Sequence, residues 1–230
     1  MAKDADVEVE AESGGTWREL AVARSLDPAR ARAEKRVQRF LDAALELMNG
    51  SPDKEFTVQE VVERSGESLR SFYQYFAGKY ELLLALFEES VRSTAEHLQD
   101  VVDDEADPLE KVHAFVVEYF RICQPLPKSR ANKSGPTPAL SEFAQRLLTE
   151  HPKEASRAFV PMVGLLEGLL DDAAAAGGLR PGLDHRHLAG TMLQAVGFNA
   201  FAATISGAPV RNPEAAAEEL WSLLHRGIGS

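Results

Sequence analysis

The run "TVQEVVERSGESLRSFYQYFAGKYELLLAL", residues 57–86, decides the fold of this chain. It contains two short segments of helical period separated by a tight turn at Gly66, and a longer apolar helix starts at Lys79. Thr57 and Glu60 have the spacing of a capping box, and Ser68 is a favourable N-cap for the second short helix. Two short helices joined by a glycine-containing turn and followed by a long helix indicate a helix-turn-helix unit.

The same helical period continues along the rest of the chain. Apolar residues recur at steps of three and four, and no run of alternating β-branched residues bounded by turns appears. We predict an all-α fold in which a three-helix helix-turn-helix unit is joined by a long fourth helix to a larger helical domain. A Pro-rich, basic loop is expected at residues 124–138. The predicted helices cover residues 29–48, 57–66, 68–76, 79–102, 108–123, 138–150, 153–176, 185–206 and 213–226.

The charge of the chain is unevenly distributed. Its net charge of −11 argues against a polyanionic partner, since phosphate binding depends on Lys and Arg. Residues 1–16 are acidic and predict a disordered tail, whereas residues 17–40 hold seven basic residues against three acidic ones. A basic segment attracts a polyanion through its local potential, which salt screens over about 8–10 Å. Two alternatives remain for residues 17–33: an arm that contacts a DNA backbone or minor groove, and a solvated extension of the first helix.

Composition bounds the class of protein. With 44% apolar residues among 230, the chain can bury a core, and no apolar run reaches the roughly 18–20 residues that cross a bilayer. The acidic N-terminus lacks a signal peptide's apolar segment, so we expect a cytoplasmic protein with no membrane partner. Cys123 is the single cysteine and is expected to be a small core residue. No catalytic triad, phosphate loop or metal-binding spacing stands out, so we expect no catalytic residue, metal or cofactor.

The third predicted helix has two faces. At about 100° per residue, Leu69, Phe72 and Phe76 fall on one side, which we expect to point into the bundle. The opposite side and its flanks carry Arg70, Ser71, Gln74, Tyr73 and Tyr75. Such side chains suit a DNA major groove, where Arg reads guanine, Gln reads adenine and tyrosine hydroxyls reach phosphates. Further DNA contacts are expected at three helix starts, from Thr57, Ser68 and Lys79. A plain solvated face is the alternative.

At these residues the chain resembles the TetR family of bacterial repressors. The turn at residues 65–68, the helix end at 72–76 and the segment 77–83 follow the family's pattern, and the resemblance covers residues 30–85. It implies a DNA-binding domain at residues 17–80, basic arm included, and a helical ligand-binding and dimerisation domain at 81–230. It also implies a homodimeric repressor that a small, apolar effector releases from a palindromic double-stranded operator. A binding module or enzyme that keeps the fold without binding an operator is the alternative.

Two residues depart from the family's pattern. Glu67 stands where an apolar turn residue is usual, which is expected to alter the packing of the turn. Arg70 stands at a position that is commonly small, often glycine. A long basic side chain there is expected to contact a base directly, so the operator preference of this protein should differ from that of its relatives.

The C-terminal part carries the expected dimer interface and ligand pocket. The stretch "ASRAFVPMVGLLEGLLDDAAAAGG", residues 155–178, has an apolar stripe too wide to be covered from one side. With the next helix it predicts a dimer interface of Phe159, Val163, Leu166, Leu170, Met192 and Val196. A tightly packed core within one chain is the alternative. The family resemblance implies a pocket, with candidate lining residues Phe87, Val91, Phe115, Tyr119, Phe143, Leu147, Met162 and Phe198.

Overall fold

The structure, a computed structural model, describes the backbone of residues 17–50, 55–124, 138–206 and 212–229. Within them, the side chains of residues 17–27, 138, 139, 141 and 200–206 are left undescribed. The described ranges form ten helices and no strand, so the predicted all-α class is confirmed. The helices are α1 (Trp17–Gly50), α2 (Val58–Ser65), α3 (Leu69–Tyr75), α4 (Lys79–Asp103), α5 (Pro108–Cys123), α6 (Pro138–Glu150), α7 (Pro152–Ala158), α8 (Val160–Ala175), α9 (His185–Ser206) and α10 (Pro213–Ile228).

The first three helices pack around a cluster of phenylalanine rings. Phe40 on α1 lies edge-on to Phe72 on α3 and to Phe76 just after it, with ring centroids 5.4 and 6.1 Å apart. Thr57 and Glu60 form the predicted capping box at the start of α2. The helix ends at Gly66, whose φ of 68° lies in the left-handed region that favours glycine. The capped α2, the glycine turn and the ring cluster together hold α3 at a fixed angle to the bundle.

The larger helical domain is built around α5. This helix packs against α4, α8, α9 and α10 and buries Val112, Phe115 and Val116. Asp107 caps its start by accepting hydrogen bonds from the backbone N–H groups of Leu109 and Glu110. Because α4 contacts both α1 and α5, it is the element that joins the helix-turn-helix unit to the larger group of helices.

Two helix boundaries differ from the sequence-based prediction. The first helix begins at Trp17 instead of residue 29, with Pro28 in its interior. A proline removes one main-chain hydrogen bond and bends a helix, but it does not have to end it. The helix predicted at 153–176 is broken at Phe159 into α7 and α8. Pro161 lies in the first turn of α8, where its missing N–H fits a helix start better than a helix interior.

Some sequence-based expectations lie outside the described residues. These are the disordered tail at residues 1–16 and most of the loop at 124–138. Among the described helices, none combines the length and the apolar character that crossing a membrane requires. In the same part of the chain, no group of three or more His, Cys, Asp or Glu side chains is placed to hold a metal ion.

Candidate functional site

The helix α3 is short and held at both ends. The Ser68 hydroxyl accepts a hydrogen bond from the Ser71 backbone N–H at 3.0 Å, which fixes the first turn. At the other end the Phe76 N–H donates to the Phe72 carbonyl, and both phenylalanine rings are buried. Two rings anchored in the bundle fix the rotation of α3 about its axis, so its outer face has a defined orientation.

That outer face is formed by Leu69, Arg70, Tyr73 and Gln74, which we call the reading face. All four side chains are exposed, Tyr73 by 57% and Leu69 by 43%. Tyr75 is half-buried and packs against the core, so it lies at the edge of this face. Arg70 and Gln74 lie four residues apart on this face. The Arg70 guanidinium offers only N–H donors to solvent, whereas the Gln74 amide offers both N–H donors and a carbonyl acceptor.

The structure corrects the predicted orientation of α3 at two residues. Ser71 was expected on the reading face, yet it is only 8% exposed, and Leu69 was expected in the core, yet it lies outside. The buried arc runs from Ser71 through Tyr75 and Phe72 to Phe76, which amounts to a rotation of about 60° from the expected orientation. A side chain as small as serine can be covered when helices pack closely, whereas Leu69 is the first residue of α3 and lies at its end.

Removing the Ser71 hydroxyl is a direct test of this orientation. No hydrogen-bond partner for its Oγ is found in the described part of the chain. We expect Ser71→Ala to leave the operator preference unchanged and to lower the free energy of unfolding by no more than about 1 kcal/mol, because an unpaired buried hydroxyl contributes little. Duplex-binding assays and urea unfolding measure both quantities. A changed base preference in this variant would place Ser71 back on the reading face.

The three residues expected to contact phosphates have different surroundings. The Ser68 side chain is exposed and caps α3. The Thr57 hydroxyl is already engaged with Glu60, 3.0 Å from its Oε2 and 3.2 Å from its backbone N. The Lys79 ammonium lies 3.3 Å from Glu55 Oε2 and 4.7 Å from the centre of the Phe56 ring. Glu55 is 88% exposed, so this ion pair is weak and a phosphate can replace it.

Glu67 links the turn before α3 to α1, a role that the sequence analysis did not predict. Its carboxylate accepts a hydrogen bond from Arg39 on α1 at 2.8 Å, and Arg36 Nε lies 3.9 Å from the other carboxylate oxygen. The Glu67 side chain is only 12% exposed, so the pair is partly shielded from water. The link ties α1 to the residue that precedes the cap of α3.

A cavity of about 1050 Å³ lies in the larger domain, between α4, α5, α6, α7, α8 and α9. Five of the predicted residues line it: Phe87, Val91, Tyr119, Met162 and Phe198. Phe115, Phe143 and Leu147 do not, because their side chains are buried in the surrounding core, at 4% exposure or less. Leu148 and Phe198 are exposed by 52% and 72%, so the cavity opens to solvent beside them.

The lining of the cavity is apolar with scattered neutral polar groups, and no charged side chain occurs among its described lining residues. Sequence reasoning missed the polar groups because they lie on five separate helices. They are Ser90, Thr94, Cys123, Gln145, Thr149, Ser156, Thr191 and Gln194. Tyr119 and Cys123 are hydrogen-bonded to each other, and burial raises the pKa of the Cys123 thiol to about 11. The thiol is therefore protonated at neutral pH and is a poor nucleophile.

The predicted dimer residues divide into two groups. Leu166, Leu170, Met192 and Val196 are each 1% exposed or less within a single chain, so their prediction as interface contacts is wrong. They form the core between α5, α8 and α9, which agrees with the alternative of a tightly packed core within one chain. Phe159 and Val163 are half-buried and line the cavity. The outward side of α8 carries Val160, Gly164 and Gly168 instead.

The first four helices and the exposed face of α3 have the arrangement of a helix-turn-helix unit. The model of the family "Bacterial regulatory proteins, tetR family" matches residues 40–86, the segment that contains α2, α3 and the start of α4. The match confirms the resemblance to this family that was drawn from the sequence.

The proteins that match a larger part of the chain share little sequence identity with it. The fatty acid metabolism regulator protein of Bacillus subtilis (strain 168) is 21% identical over 147 residues, which cover 64% of this chain and 72% of the relative. The structure of the fatty acid degradation regulator FadR of Bacillus halodurans aligns with a TM-score of 0.63 at 18% identity and covers 82% of this chain and 93% of that one. FadR of Bacillus subtilis in complex with stearoyl-CoA aligns with a TM-score of 0.59 at 18% identity, covering 83% and 98%. At these identities the structural likeness shows the fold alone.

Proposed function

We propose that this protein is a ligand-responsive transcriptional repressor that binds a palindromic operator as a homodimer in the cytoplasm. One observation carries the proposal: α3 presents an exposed reading face while α4 connects it to a domain with a cavity of about 1050 Å³. A rigid DNA-reading helix and an effector-sized cavity on one chain are the two parts that a ligand-controlled repressor needs.

The reading face supports sequence-specific binding in a major groove. Arg70 can donate two parallel hydrogen bonds to guanine O6 and N7, and Gln74 can bridge adenine N6 and N7. Leu69 offers an apolar surface to a thymine methyl group. Tyr73 lies between Leu69 and Arg70 on this face, and its hydroxyl can reach a phosphate. These four residues are our proposed base and backbone contacts, with Ser68 and Lys79 on the phosphates.

The outward sides of α8 and α9 support dimerisation. Val160 is 52% exposed, and a side chain added at Gly164 or Gly168 would meet nothing within 4 Å. On α9, Thr191, Gln194 and the 72%-exposed Phe198 are also exposed, although they line the cavity as well. A dimer through these helices would bring two copies of α3 to half-sites about one helical turn apart, roughly 34–36 Å, or somewhat more.

The cavity supports a largely apolar effector. Because no charged side chain occurs among the described lining residues, an ionised group on the ligand would lie near the mouth beside Leu148 and Phe198. The Bacillus subtilis relative has been crystallised with stearoyl-CoA, a molecule that has a long apolar chain and a charged end. An acyl chain in the cavity and a polar end at the mouth would fit the lining here.

A contact between α4 and α7 connects the cavity to the DNA-binding unit. The hydroxyl of Tyr80, the second residue of α4, donates to Glu154 Oε2 at 2.5 Å, and its ring lies 5.1 Å from that of His151. Burial and the neighbouring Glu154 carboxylate raise the pKa of Tyr80 to about 12, so this donor keeps its proton throughout the physiological range. Ala155 and Ser156, which follow Glu154 on α7, line the cavity. A ligand that shifts α7 would thus move the start of α4.

Breaking this contact should uncouple the two sites. In Tyr80→Phe we expect the factor by which a cavity ligand weakens operator binding to fall severalfold towards one, because α7 no longer pulls on α4 through Glu154. Operator affinity is measured by fluorescence anisotropy without and with a saturating probe, with stearoyl-CoA and methyl stearate as the first two probes. Arg92→Gln serves as the control, since within the described residues Arg92 pairs only along α4, with Glu89 and Glu96. An unchanged factor in Tyr80→Phe would show that the signal takes another route.

Selection from a pool of random duplexes tests the proposed function as a whole. The purified protein should enrich a palindrome whose half-sites are related by a two-fold axis, and the probe that binds the cavity should release it. Recovery of no enriched sequence at moderate salt would favour a binding module or an enzyme that keeps the fold. Tight binding without any sequence preference would favour a structural DNA-packaging role.

A further inference from the structure

The N-terminal half of α1 extends beyond the DNA-binding bundle. From Pro28 to Arg39 every residue of α1 is exposed or half-buried, and Phe40 is the first fully buried residue in the described part of this helix. The family model also begins at residue 40. At 1.5 Å per residue, residues 28–39 form about 18 Å of helix that the bundle does not need for its core.

Charge is segregated on this extension. Arg32, Lys35, Arg36 and Arg39, here called the basic stripe, fall within about 100° of one another around the helix axis. Glu34 lies on the opposite side, paired with Arg30 at 2.7 Å. Glutamate and aspartate elsewhere give the chain its net charge of −11, so the stripe is a local positive surface on an acidic protein.

The stripe ends at the reading helix. Arg39 and Arg36, at its C-terminal end, are held by Glu67, the residue that immediately precedes the Ser68 cap of α3. The basic side of α1 therefore continues the surface that carries the reading face, and it leads away from α3 towards Trp17. This continuity separates the stripe from a merely solvated helix, whose charges would have no fixed relation to α3.

We propose that the basic stripe binds the phosphate backbone of the DNA that flanks each half-site. The inference rests on the proposed operator binding and adds a second, sequence-independent contact to it. Arg32 and Lys35 make this contact, because Arg36 and Arg39 are already paired with the Glu67 carboxylate. The phosphates that it contacts lie outside the palindrome, so the affinity of the protein depends on the length of the duplex as well as on its sequence.

The experiment compares two duplexes that contain the selected operator. One ends at the outer edges of the half-sites and the other carries about ten further base pairs on each side. Operator affinity is measured as a function of salt for the full chain, for Arg32→Gln/Lys35→Gln, and for the matched single variants Arg32→Gln and Arg30→Gln, which remove one charge from opposite sides of α1. Each phosphate that a protein neutralises adds about 0.9 to the slope of log affinity against log salt.

On the long duplex we expect the slope for the double variant to fall by about three to four, since four charges are lost per dimer. On the short duplex its slope should equal that of the unaltered protein. Arg32→Gln should lower the slope on the long duplex, and Arg30→Gln should not. Equal slopes for the double variant and the unaltered protein on the long duplex would overturn the inference while leaving operator binding intact. An unaltered protein that binds neither duplex would overturn the proposed function itself.

Discussion

Arg70→Ala and Gln74→Ala should each weaken operator binding by about 1–3 kcal/mol and relax the base preference at one position of each half-site. Both side chains lie on the exposed face of α3, and both carry donors that pair with one base in the geometry of a bidentate contact. Loss of such a pair removes discrimination against the wrong base, because the remaining contacts on the backbone are the same for every sequence. Affinity for the selected operator and for its single-base variants measures the effect.

Two controls separate base reading from general attraction to DNA. Lys79→Ala should weaken binding to all duplexes alike and lower the salt slope, because Lys79 is at the start of α4, where we propose a phosphate contact. Arg92→Ala removes an exposed charge of α4 outside the DNA-binding unit and should change neither quantity. If Arg70→Ala and Gln74→Ala both kept the full base preference of the unaltered protein, the reading face would be wrongly assigned.

Phe72→Ala should lower the stability of the DNA-binding unit by about 3–5 kcal/mol. The Phe72 ring is fully buried and lies 5.4 Å from Phe40 and 5.3 Å from Phe76, so its removal leaves a cavity at the centre of the three helices. A loss of this size approaches the whole stability of a small unit, so operator binding should disappear at temperatures where the larger domain is still folded. Denaturant unfolding, followed by circular dichroism, measures the change.

The neighbouring Tyr73 provides a matched control for this variant. Its ring contacts Phe72 edge-on at 5.4 Å, yet 57% of the residue is exposed. Tyr73→Ala should therefore cost well under half the stability that Phe72→Ala costs, because little buried apolar surface is lost. Equal losses in the two variants would contradict the account of which ring anchors α3.

The sequence predicted local features well where residues within one helix determine them. The capping box of Thr57 and Glu60, the glycine turn at Gly66 and the cap at Ser68 all depend on neighbours in the chain, and the structure has all three. The all-α class followed from the apolar period in the same way. The break at Phe159 was missed because an apolar period continues through Pro161, although that residue fits a helix start better than a helix interior.

Features that depend on how helices pack were predicted less well. An apolar stripe is the same whether the chain's own helices or a second chain cover it, so Leu166 and Met192 were assigned to the dimer although they lie in the core. The helical wheel for α3 was centred on its large apolar residues. In the structure Ser71 is buried as well, so the exposed face of α3 lies about 60° from its predicted orientation. The cavity lining comes from six helices, and no local pattern could join Gln145 to Thr191 or Gln194.

The central claim is that α3 reads a DNA sequence, and the ratio of two dissociation constants tests it most directly. The protein's affinity is measured at one salt concentration near physiological for the selected palindrome and for a duplex of the same composition in scrambled order. A specific regulator should bind the palindrome at least about a thousandfold more tightly. A ratio near one, with both duplexes bound through the same salt-dependent attraction, would contradict the account.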